Sequence, residues 1–224
     1  MSMLSNLELI RRVPLFALLT SNQAESVADA VVKRRFKRGE IVVEQGEKSN
    51  TLFIILTGRV RVVTSDKRGR EVILATLNPG DYIGEMSLID NEAHSATVRA
   101  EVQTDMLALG RAEFARCLPE NSSMAYAIMK GLVQRLRQAD RKIESLALMD
   151  VYGRVARSLL EFAVPDRDGN SIIRERISRQ DIAKMVGASR EMVSRVMKDL
   201  EDRGFIETRE DGSMLVKERL STLG

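Results

Sequence analysis

The chain has 224 residues, of which 44% are hydrophobic and 30% are charged, a composition that is sufficient for folding and excludes a disordered chain. The formal net charge is only +3, and residues 150–224 contain as many acidic as basic side chains, so the total charge does not by itself indicate a nucleic-acid partner. The chain has one cysteine, Cys117, which excludes an internal disulfide and a cysteine-ligated iron–sulfur cluster. It also has one histidine, His94, and these two side chains are too few donors for a common zinc site. We therefore expect no metal.

The first half of the chain changes from a helical pattern to a strand pattern. Apolar residues at helix-like spacing predict helix over residues 1–35, up to and including Val31 and Val32. Between residues 37 and 109, short runs rich in Val, Ile, Leu and Thr alternate with turn residues every ~8–12 positions, which is typical of an antiparallel sandwich or barrel. We therefore predict a small β-barrel or jelly roll at residues 40–109.

A helical pattern returns at Glu113. Its apolar residues step alternately by three and four positions, and they are Met129, Leu132, Leu136, Ala139, Ile143 and Leu146. This 3.5-residue repeat predicts a seam for a partner helix. A helix packed on its own barrel is the alternative, but charged and amide side chains beside the seam leave only a narrow apolar stripe, which favours a homodimer.

A second domain is predicted to begin near residue 150. An amphipathic helix at residues 155–163 ends before Pro165, and residues 166–170 are predicted to form a polar turn. Residues 172–177 are predicted to form a short strand.

Two short helices joined by a tight turn are predicted after this strand. Ser178 has the N-cap chemistry of a first helix, with Asp181 three residues later, and Gly187 ends that helix. Ser189 is suited to cap a second helix at residues 190–202, which Gly204 closes. Two helices that cross through so short a turn form a helix–turn–helix.

The second of these helices has a polar face whose side chains can read DNA bases. Its outward residues are Arg190, Glu191, Ser194, Arg195 and Lys198. Arginine bonds both O6 and N7 of guanine, glutamate accepts from N4 of cytosine, and a recognition helix brings its first turns to the major groove. A solvated mixed-charge helix is the alternative. A hairpin predicted at residues 206–216, around Asp211 and Gly212, would form a wing beside the helix and favours DNA binding.

Three segments give the chain a resemblance to a known family. In chain order they are Gly84-Glu-Met-Ser-Leu88, Ser178-Arg-Gln-Asp-Ile-Ala and Ser189-Arg-Glu-Met-Val-Ser-Arg-Val-Met-Lys-Asp-Leu200. Over nearly its full length the chain resembles the CRP/FNR family, of the cyclic-AMP receptor protein type. The resemblance implies an α+β fold with an N-terminal cyclic-nucleotide-binding-like β-roll (a jelly roll), a long dimerisation helix and a C-terminal winged helix–turn–helix. The corresponding ranges are 1–118, 119–149 and 150–224.

The resemblance also implies how DNA is bound. Arg190, Glu191 and Arg195 would read bases, as in the subgroup that recognises TGTGA-type half-sites. A homodimer would bind a palindromic duplex with its half-sites about one helical turn apart. The expected DNA-binding residues are Arg179, Ser189, Arg190, Glu191, Ser194, Arg195 and Lys198. Family members regulate transcription, often through contact with RNA polymerase, which we expect as a partner.

The family binds its effector with a Gly-Glu pair and a downstream Arg-Ser pair, which hold the ribose and the phosphate of a cyclic nucleotide. This sequence keeps Gly84, Glu85 and Ser95. At the arginine position it has His94, and a neutral imidazole offers a phosphate one donor and no fixed charge.

The long helix carries a second departure from the family pattern. Cyclic-AMP binders have a Thr-Ser pair that meets adenine, and this chain has Ala139-Asp140 there. Asp140 suits the N1–H and N2–H donors of guanine, and Arg137-Gln-Ala-Asp140 resembles cyclic di-GMP-binding motifs, with both ends on one helical face. An exposed ion pair with this spacing is the alternative. The expected effector-binding residues are Gly84, Glu85, Met86, Ser87, His94, Ser95, Arg137 and Asp140.

The sequence therefore favours a homodimeric, sequence-specific transcriptional regulator that a cyclic nucleotide controls, with cyclic di-GMP preferred over cyclic AMP. The alternatives are a ligand-independent regulator of the same type and a cyclic-nucleotide-binding module that regulates a protein partner. We expect neither an enzyme nor a tightly bound cofactor, since no nucleophile–base pair or phosphate-cradling glycine loop is recognisable. We expect a cytoplasmic protein without a membrane partner, because no apolar stretch approaches the ~20 residues that cross a bilayer and no secretory signal opens the sequence.

Overall fold

The computed structural model describes residues 5–16, 19–117, 122–166, 171–209, 211–217 and 220. The chain divides into two compact units, residues 1–135 and residues 136–224. Parts of four sequence predictions lie outside the described residues. They are residues 1–4 and 17–18 of the N-terminal helical region, residues 119–121 of the dimerisation helix, residues 167–170 of the polar turn and residue 210 of the hairpin. Within the described ranges, no helix is long and apolar enough to cross a membrane.

The first unit contains a β-roll of two antiparallel sheets. Its strands are β1 (Val32–Phe36), β2 (Ile41–Val43), β3 (Thr51–Thr57), β4 (Val60–Ser65), β5 (Glu71–Leu77), β6 (Tyr82–Ile83), β7 (Thr97–Ala100) and β8 (Thr104–Gly110). One sheet has the order β1-β8-β3-β6, and the other has the order β2-β7-β4-β5. The predicted jelly roll is confirmed.

Helices precede and follow the strands of the roll in the chain, and one helix lies between β6 and β7. They are α1 (Asn6–Ile10), α2 (Ser21–Ala30), α3 (Glu85–Asp90), α4 (Arg111–Cys117) and α5 (Ser122–Leu148), and a short 3₁₀ turn lies at Pro14–Phe16. Side chains alternate along a strand, so Met106 of β8 joins the cluster between the sheets, which also contains Ile55 and Val98. Leu107 and Leu109 join the cluster that packs the helices onto the roll.

Two sequence predictions in this unit are wrong. Val31 ends α2 in an extended conformation, with φ −84° and ψ 144°, and Val32 begins β1 instead of continuing a helix. Two consecutive β-branched residues favour strand geometry, and β1 pairs with β8 from Val32↔Ala108 to Phe36↔Thr104. Within the strand-patterned region, α3 was missed because a helix of 6 residues is too short to show a helical period.

The helix α5 has 27 residues in two kinds of surroundings. Near its start, Met124 and Ile128 are buried in the core of the first unit and Leu132 packs against it, as expected for a helix on its own barrel. Along the rest of the helix, large apolar side chains are half or more exposed, and they are Met129, Val133, Leu136, Ile143, Leu146 and Leu148. We call this second set the α5 stripe.

The second unit combines helices with a small antiparallel sheet. Its elements are α6 (Val151–Phe162), β9 (Val164–Pro165), β10 (Ser171–Ile173), α7 (Arg179–Val186), α8 (Arg190–Asp202), β11 (Ile206–Thr208) and β12 (Met214–Val216), with sheet order β11-β12-β10-β9. The strand predicted at residues 172–177 ends instead at Ile173, because Ile173 pairs with Met214, the first residue of β12. The predicted helix–turn–helix and the hairpin of β11 and β12 are confirmed.

Candidate functional site

The candidate effector site in the first unit begins at Gly84, the N-cap of α3. Its backbone has φ 93°, in the left-handed region that favours glycine. A Cβ at this position would also lie 2.5 Å from the carbonyl oxygen of Thr51. Glycine is therefore required here to turn the chain from β6 into α3.

Glu85 follows and is almost completely buried. Its carboxylate accepts a hydrogen bond of 2.5 Å from Nη1 of Arg135 on α5, and Nη2 of the same arginine donates to the carbonyl oxygen of Tyr82. The guanidinium also lies 5.0 Å from the centre of the Tyr82 ring. Burial raises the pKa of the Glu85 carboxyl, and the charge of Arg135 opposes this shift. One arginine thus joins the start of α3, β6 and the long helix.

His94 is buried between two serine hydroxyls. Its Nδ1 lies 3.1 Å from Oγ of Ser87, and its Nε2 lies 2.8 Å from Oγ of Ser49. Burial lowers the pKa of the imidazole, so the ring is neutral at pH 7, with one nitrogen that donates and one that accepts. Both nitrogens therefore already have partners within the protein.

The remaining predicted residues of this site differ in exposure. Ser87 is buried, Met86 is half exposed and Ser95 is exposed. Sequence reasoning missed Arg111, whose Nη2 donates to the carbonyl oxygen of Ser87 (2.8 Å) and whose Nε donates to Oδ1 of Asn50 (2.9 Å). It also missed the roles of Arg135 and Ser49, because these contacts join residues that are 45 or more positions apart in the sequence.

The structure divides the predicted effector residues between the two units. Gly84 to Ser95 belong to the first unit, whereas Arg137 and Asp140 lie on the part of α5 that belongs to the second. Both of these long-helix side chains are exposed. They are therefore accessible to a ligand or a second chain.

In the second unit, side-chain caps fix the two helices of the helix–turn–helix. Oγ of Ser178 accepts from the backbone N–H of Asp181 (3.0 Å), and Oγ of Ser189 accepts from that of Met192 (3.2 Å). Between the helices Gly187 ends α7 with φ 66°, a left-handed conformation. The caps and the turn occur at the predicted residues.

The helix α8 separates a buried face from a polar one. Val193, Met197 and Leu200 are buried in the core of the second unit. The predicted DNA-contacting residues are exposed at Ser189, Arg190, Glu191, Arg195 and Lys198, and half-buried at Arg179 and Ser194. A hydrogen bond from its own backbone N–H holds the pKa of the Glu191 carboxyl below its usual value, and the Ser189 hydroxyl contributes to the shift. This side chain is therefore a negatively charged acceptor at neutral pH.

A basic cavity of about 670 Å³ lies between the wing and the two helices. Four arginines line it, and they are Arg176, Arg179, Arg190 and Arg209. Glu175 lines it as well, so the arginines outnumber the acidic side chain. Arg176 and Arg209 were not among the predicted residues, because the sequence does not show that the wing brings Arg209 close to the start of α7.

Comparison with known proteins identifies both units. A family described as "Cyclic nucleotide-binding domain" matches residues 33–121, and one described as "Crp-like helix-turn-helix domain" matches residues 153–221. The cAMP-activated global transcriptional regulator Vfr of Pseudomonas aeruginosa is 37% identical over 186 residues, which are 79% of this chain and 86% of that protein. The chain belongs to the CRP/FNR family. The regulator CRP of Salmonella typhimurium is also 37% identical, over 171 residues that cover 74% of this chain and 80% of that protein.

Solved structures of CRP/FNR regulators have the same fold. The c-di-GMP responsive global regulator CLP of Xanthomonas campestris gives a TM-score of 0.76 at 26% identity, and the match covers 88% of this chain and 98% of that one. Membership of the CRP/FNR family makes the chain a DNA-binding transcription regulator and not an enzyme, and residues 33–121 belong to the cyclic nucleotide-binding domain family.

Proposed function

We propose that this CRP/FNR regulator is a homodimer that reads two inverted half-sites in duplex DNA and that a cyclic nucleotide changes its affinity for DNA. The observation that carries the proposal is the exposed set Arg190, Glu191 and Arg195 in the first two turns of the capped helix α8. A helix whose first turns carry such groups is suited to enter the major groove.

The chemistry of these three side chains selects G·C base pairs. Each arginine can donate to both O6 and N7 of a guanine, and the ionised Glu191 can accept from N4 of a cytosine. A carboxylate repels phosphates, so its place between two arginines favours base reading over general backbone binding. We propose TGTGA-like half-sites, in line with the resemblance of this helix to that subgroup.

The basic cavity between the wing and the helices supports contacts to the DNA backbone. Arg176, Arg179 and Arg209 line it beside the base reader Arg190. Arginine binds phosphate through two parallel hydrogen bonds, and such contacts fix the position of a protein on DNA without selecting its sequence. We assign these three arginines, with Ser189 and Lys198, to the DNA backbone, and Ser194 to the edge of the base-reading surface.

The α5 stripe supports a homodimer. Its apolar side chains are at least half exposed in one chain, and from Met129 to Leu146 they recur at the three-, four- and seven-residue steps of a coiled coil. A second copy of the same helix would bury them symmetrically. Two α8 helices related by a two-fold axis then match a palindromic DNA site. Once bound to a promoter, such a regulator would have RNA polymerase as its partner.

The first test separates base reading from backbone binding. We expect Arg190→Ala to reduce the preference for a palindromic TGTGA duplex over a scrambled duplex by about 5- to 150-fold for each half-site, the cost of one lost bidentate base contact in each copy. Lys198→Ala is the matched control, because loss of a phosphate contact weakens binding to both duplexes equally and makes it less dependent on salt. Full sequence preference in folded Arg190→Ala would contradict the proposal.

For the effector, we propose cyclic di-GMP in preference to cyclic AMP. Ala139 cannot form a side-chain hydrogen bond, whereas the exposed Asp140 can accept from guanine N1–H and N2–H, and the exposed Arg137 can donate to O6 and N7. The neutral His94 provides no fixed charge for a phosphate. The similarity to CLP, described as c-di-GMP responsive, supports this choice. Vfr and CRP are described as cAMP-activated, so cyclic AMP is the competitor to test.

A ligand-independent regulator is the second candidate, and a specific observation favours it. The groups that would hold a nucleotide in the first unit already bind protein partners, Glu85 to Arg135 and His94 to Ser49 and Ser87. A ligand would have to replace these contacts. In that case the contacts of Glu85 and His94 would serve the fold rather than a ligand.

Calorimetric titration distinguishes the effector candidates. We expect cyclic di-GMP to bind more tightly than cyclic AMP or cyclic GMP, and Asp140→Ala to weaken cyclic di-GMP about tenfold or more, because a hydrogen bond to a charged group is lost. Tighter binding of cyclic AMP would contradict our choice of nucleotide. Absence of binding by all three would favour the ligand-independent candidate.

A bound effector should change DNA affinity by about 5- to 150-fold, the usual range of allosteric coupling.

A further inference from the structure

The recognition helix has one apolar side chain on its surface. Within α7 and α8, whose residues are all described, Met192 is the one large hydrophobic residue that is exposed, at 45%. The core beneath this helix is already filled by Val193, Met197 and Leu200. Met192 is not among the residues of that core, and almost half of its surface is exposed.

The position of Met192 places it among the groups assigned to base reading. It is the third residue of α8, and its backbone N–H donates to Oγ of Ser189, which orders the first turn. It is adjacent to Glu191 in sequence and three residues before Arg195, a spacing that puts two side chains side by side on a helix. A methionine side chain in a helix also leans toward the N-terminal end, which is the end that enters the groove.

We propose that Met192 reads a thymine through its methyl group, in the base step next to the guanine that Arg195 contacts. In the major groove, the C5-methyl of thymine is the apolar group among hydrogen-bond donors and acceptors, and proteins recognise it by apolar contact. The unbranched thioether of methionine adapts its shape to such a surface. In a TGTGA half-site, the central thymine lies between two guanines and is the candidate base.

This inference rests on the proposed function, since it assumes that α8 lies in the major groove. Contact with the thymine methyl group would distinguish thymine by an apolar interaction. Arginine and glutamate cannot supply this interaction, because both act by hydrogen bonds and charge. A single exposed methionine is ordinary on a protein surface, so the test must detect the methyl group itself rather than a general loss of binding.

The test replaces thymine with deoxyuridine, which lacks only the methyl group, at each thymine of a palindromic TGTGA duplex in turn. Wild-type protein should bind about fourfold more weakly when the central thymine of one half-site is replaced, the effect of one buried methyl group. Replacement in both half-sites should weaken binding roughly fifteen-fold, because the two losses multiply in a symmetric complex. Deoxyuridine outside the half-sites is the control and should have no effect.

Two variants assign the effect to the side chain. Met192→Ala should bind the thymine and deoxyuridine duplexes equally, whereas Met192→Leu, which keeps an apolar side chain, should retain most of the difference. Undiminished sensitivity in Met192→Ala, or insensitivity of the wild type at every thymine, would overturn the assignment of Met192 and leave the proposed function intact. Absence of any preference for the palindrome in the wild type would instead overturn both.

Discussion

The ion pair of Glu85 and Arg135 places a charge where water is nearly excluded. The Glu85 side chain is 2% exposed, and that of Arg135 is 34% exposed. A buried carboxylate depends on its partner, because removal of the partner leaves a charge that is neither solvated nor neutralised. This pair holds the start of α3 to α5.

Replacement of Arg135 tests this dependence. We expect Arg135→Met to lower the free energy of unfolding at pH 7 by about 2 kcal/mol, less than for a fully buried pair because Arg135 is partly solvated. The matched control is Arg141→Met, an exposed arginine on the same helix that should change stability by less than about 0.5 kcal/mol. Urea denaturation measures both, and equal effects of the two substitutions would contradict our account.

The same variant should show a pH dependence with a defined sign. Burial raises the pKa of Glu85 above its ordinary value of 4.5, and Arg135 opposes that rise. Without Arg135 the pKa of the folded protein rises further, so the folded state takes up a proton more readily than the unfolded state. The stability deficit of Arg135→Met should therefore shrink as the pH falls from 7 toward 4.5. A deficit that is constant or that grows on acidification would rule out Glu85 as its source.

In the proposed effector site, the residue at position 94 would determine how strongly a phosphate is bound. A guanidinium at this position would supply a fixed charge and a bidentate donor. We predict that His94→Arg binds cyclic AMP about tenfold or more tightly than wild type and is less thermostable without nucleotide, because the contacts to Ser49 and Ser87 are lost. The control variant His94→Asn should bind cyclic AMP no more tightly than the wild type does. Calorimetry and thermal unfolding measure the two effects, and unchanged nucleotide affinity in folded His94→Arg would place the phosphate elsewhere.

At the residue scale, local sequence signals predicted the helix–turn–helix far better than the candidate effector site. The caps Ser178 and Ser189 and the turn Gly187 act within three or four residues, so their roles could be predicted from the sequence alone. The contact of Arg135 with Glu85 joins residues 50 positions apart. It depends on how α5 docks on the roll, and no pattern in the sequence contains that information.

Among the elements, the wrong boundary at Val31 and Val32 has a clear physical origin. Both residues fit the apolar spacing of α2, but β8, the neighbour of β1 in the sheet, offers a continuous row of pairing partners from Ala108 to Thr104. Pairing between distant strands outweighed the local helical pattern. The long helices and the roll were predictable because their patterns repeat several times, whereas α3 is too short to repeat.

The docking of α5 on the roll depends on Gly131, a glycine inside the helix. The Tyr82 hydroxyl donates to the carbonyl oxygen of Ile128 (3.1 Å), and a Cβ at position 131 would overlap this hydroxyl. An alanine in a helix interior ordinarily stabilises a protein by about 1 kcal/mol relative to glycine. At Gly131 the contact with Tyr82 should reverse that sign.

We therefore predict that Gly131→Ala destabilises the protein by about 1–3 kcal/mol in urea denaturation, because the tyrosine must move and its hydrogen bond is lost. In a Tyr82→Ala background the same substitution should stabilise, since the obstacle is absent. A stabilising effect of Gly131→Ala in the wild-type background would show that the helix does not depend on this contact.

In the whole molecule, the proposed homodimer depends on the α5 stripe, which would bring two recognition helices together. A charged residue within it should oppose association, because each copy would bury a charge against the other. We predict that Ile143→Glu is monomeric at micromolar concentration in analytical ultracentrifugation, where the wild type is a dimer. Glu144→Gln, an exposed neighbour outside the stripe, is the control and should remain dimeric. A dimeric Ile143→Glu would place the interface elsewhere.

Binding to duplexes that differ only in the arrangement of half-sites tests the central claim most directly. The duplexes contain an inverted TGTGA repeat with its centres one helical turn apart, the same repeat with half a turn of DNA inserted, or one half-site alone. If two copies present α8 across a two-fold axis, the first duplex should bind at least about a hundredfold more tightly than the others, because each lost half-site removes several contacts of ~1–3 kcal/mol. Equal affinity for all three, with the saturating nucleotide present, would contradict the account.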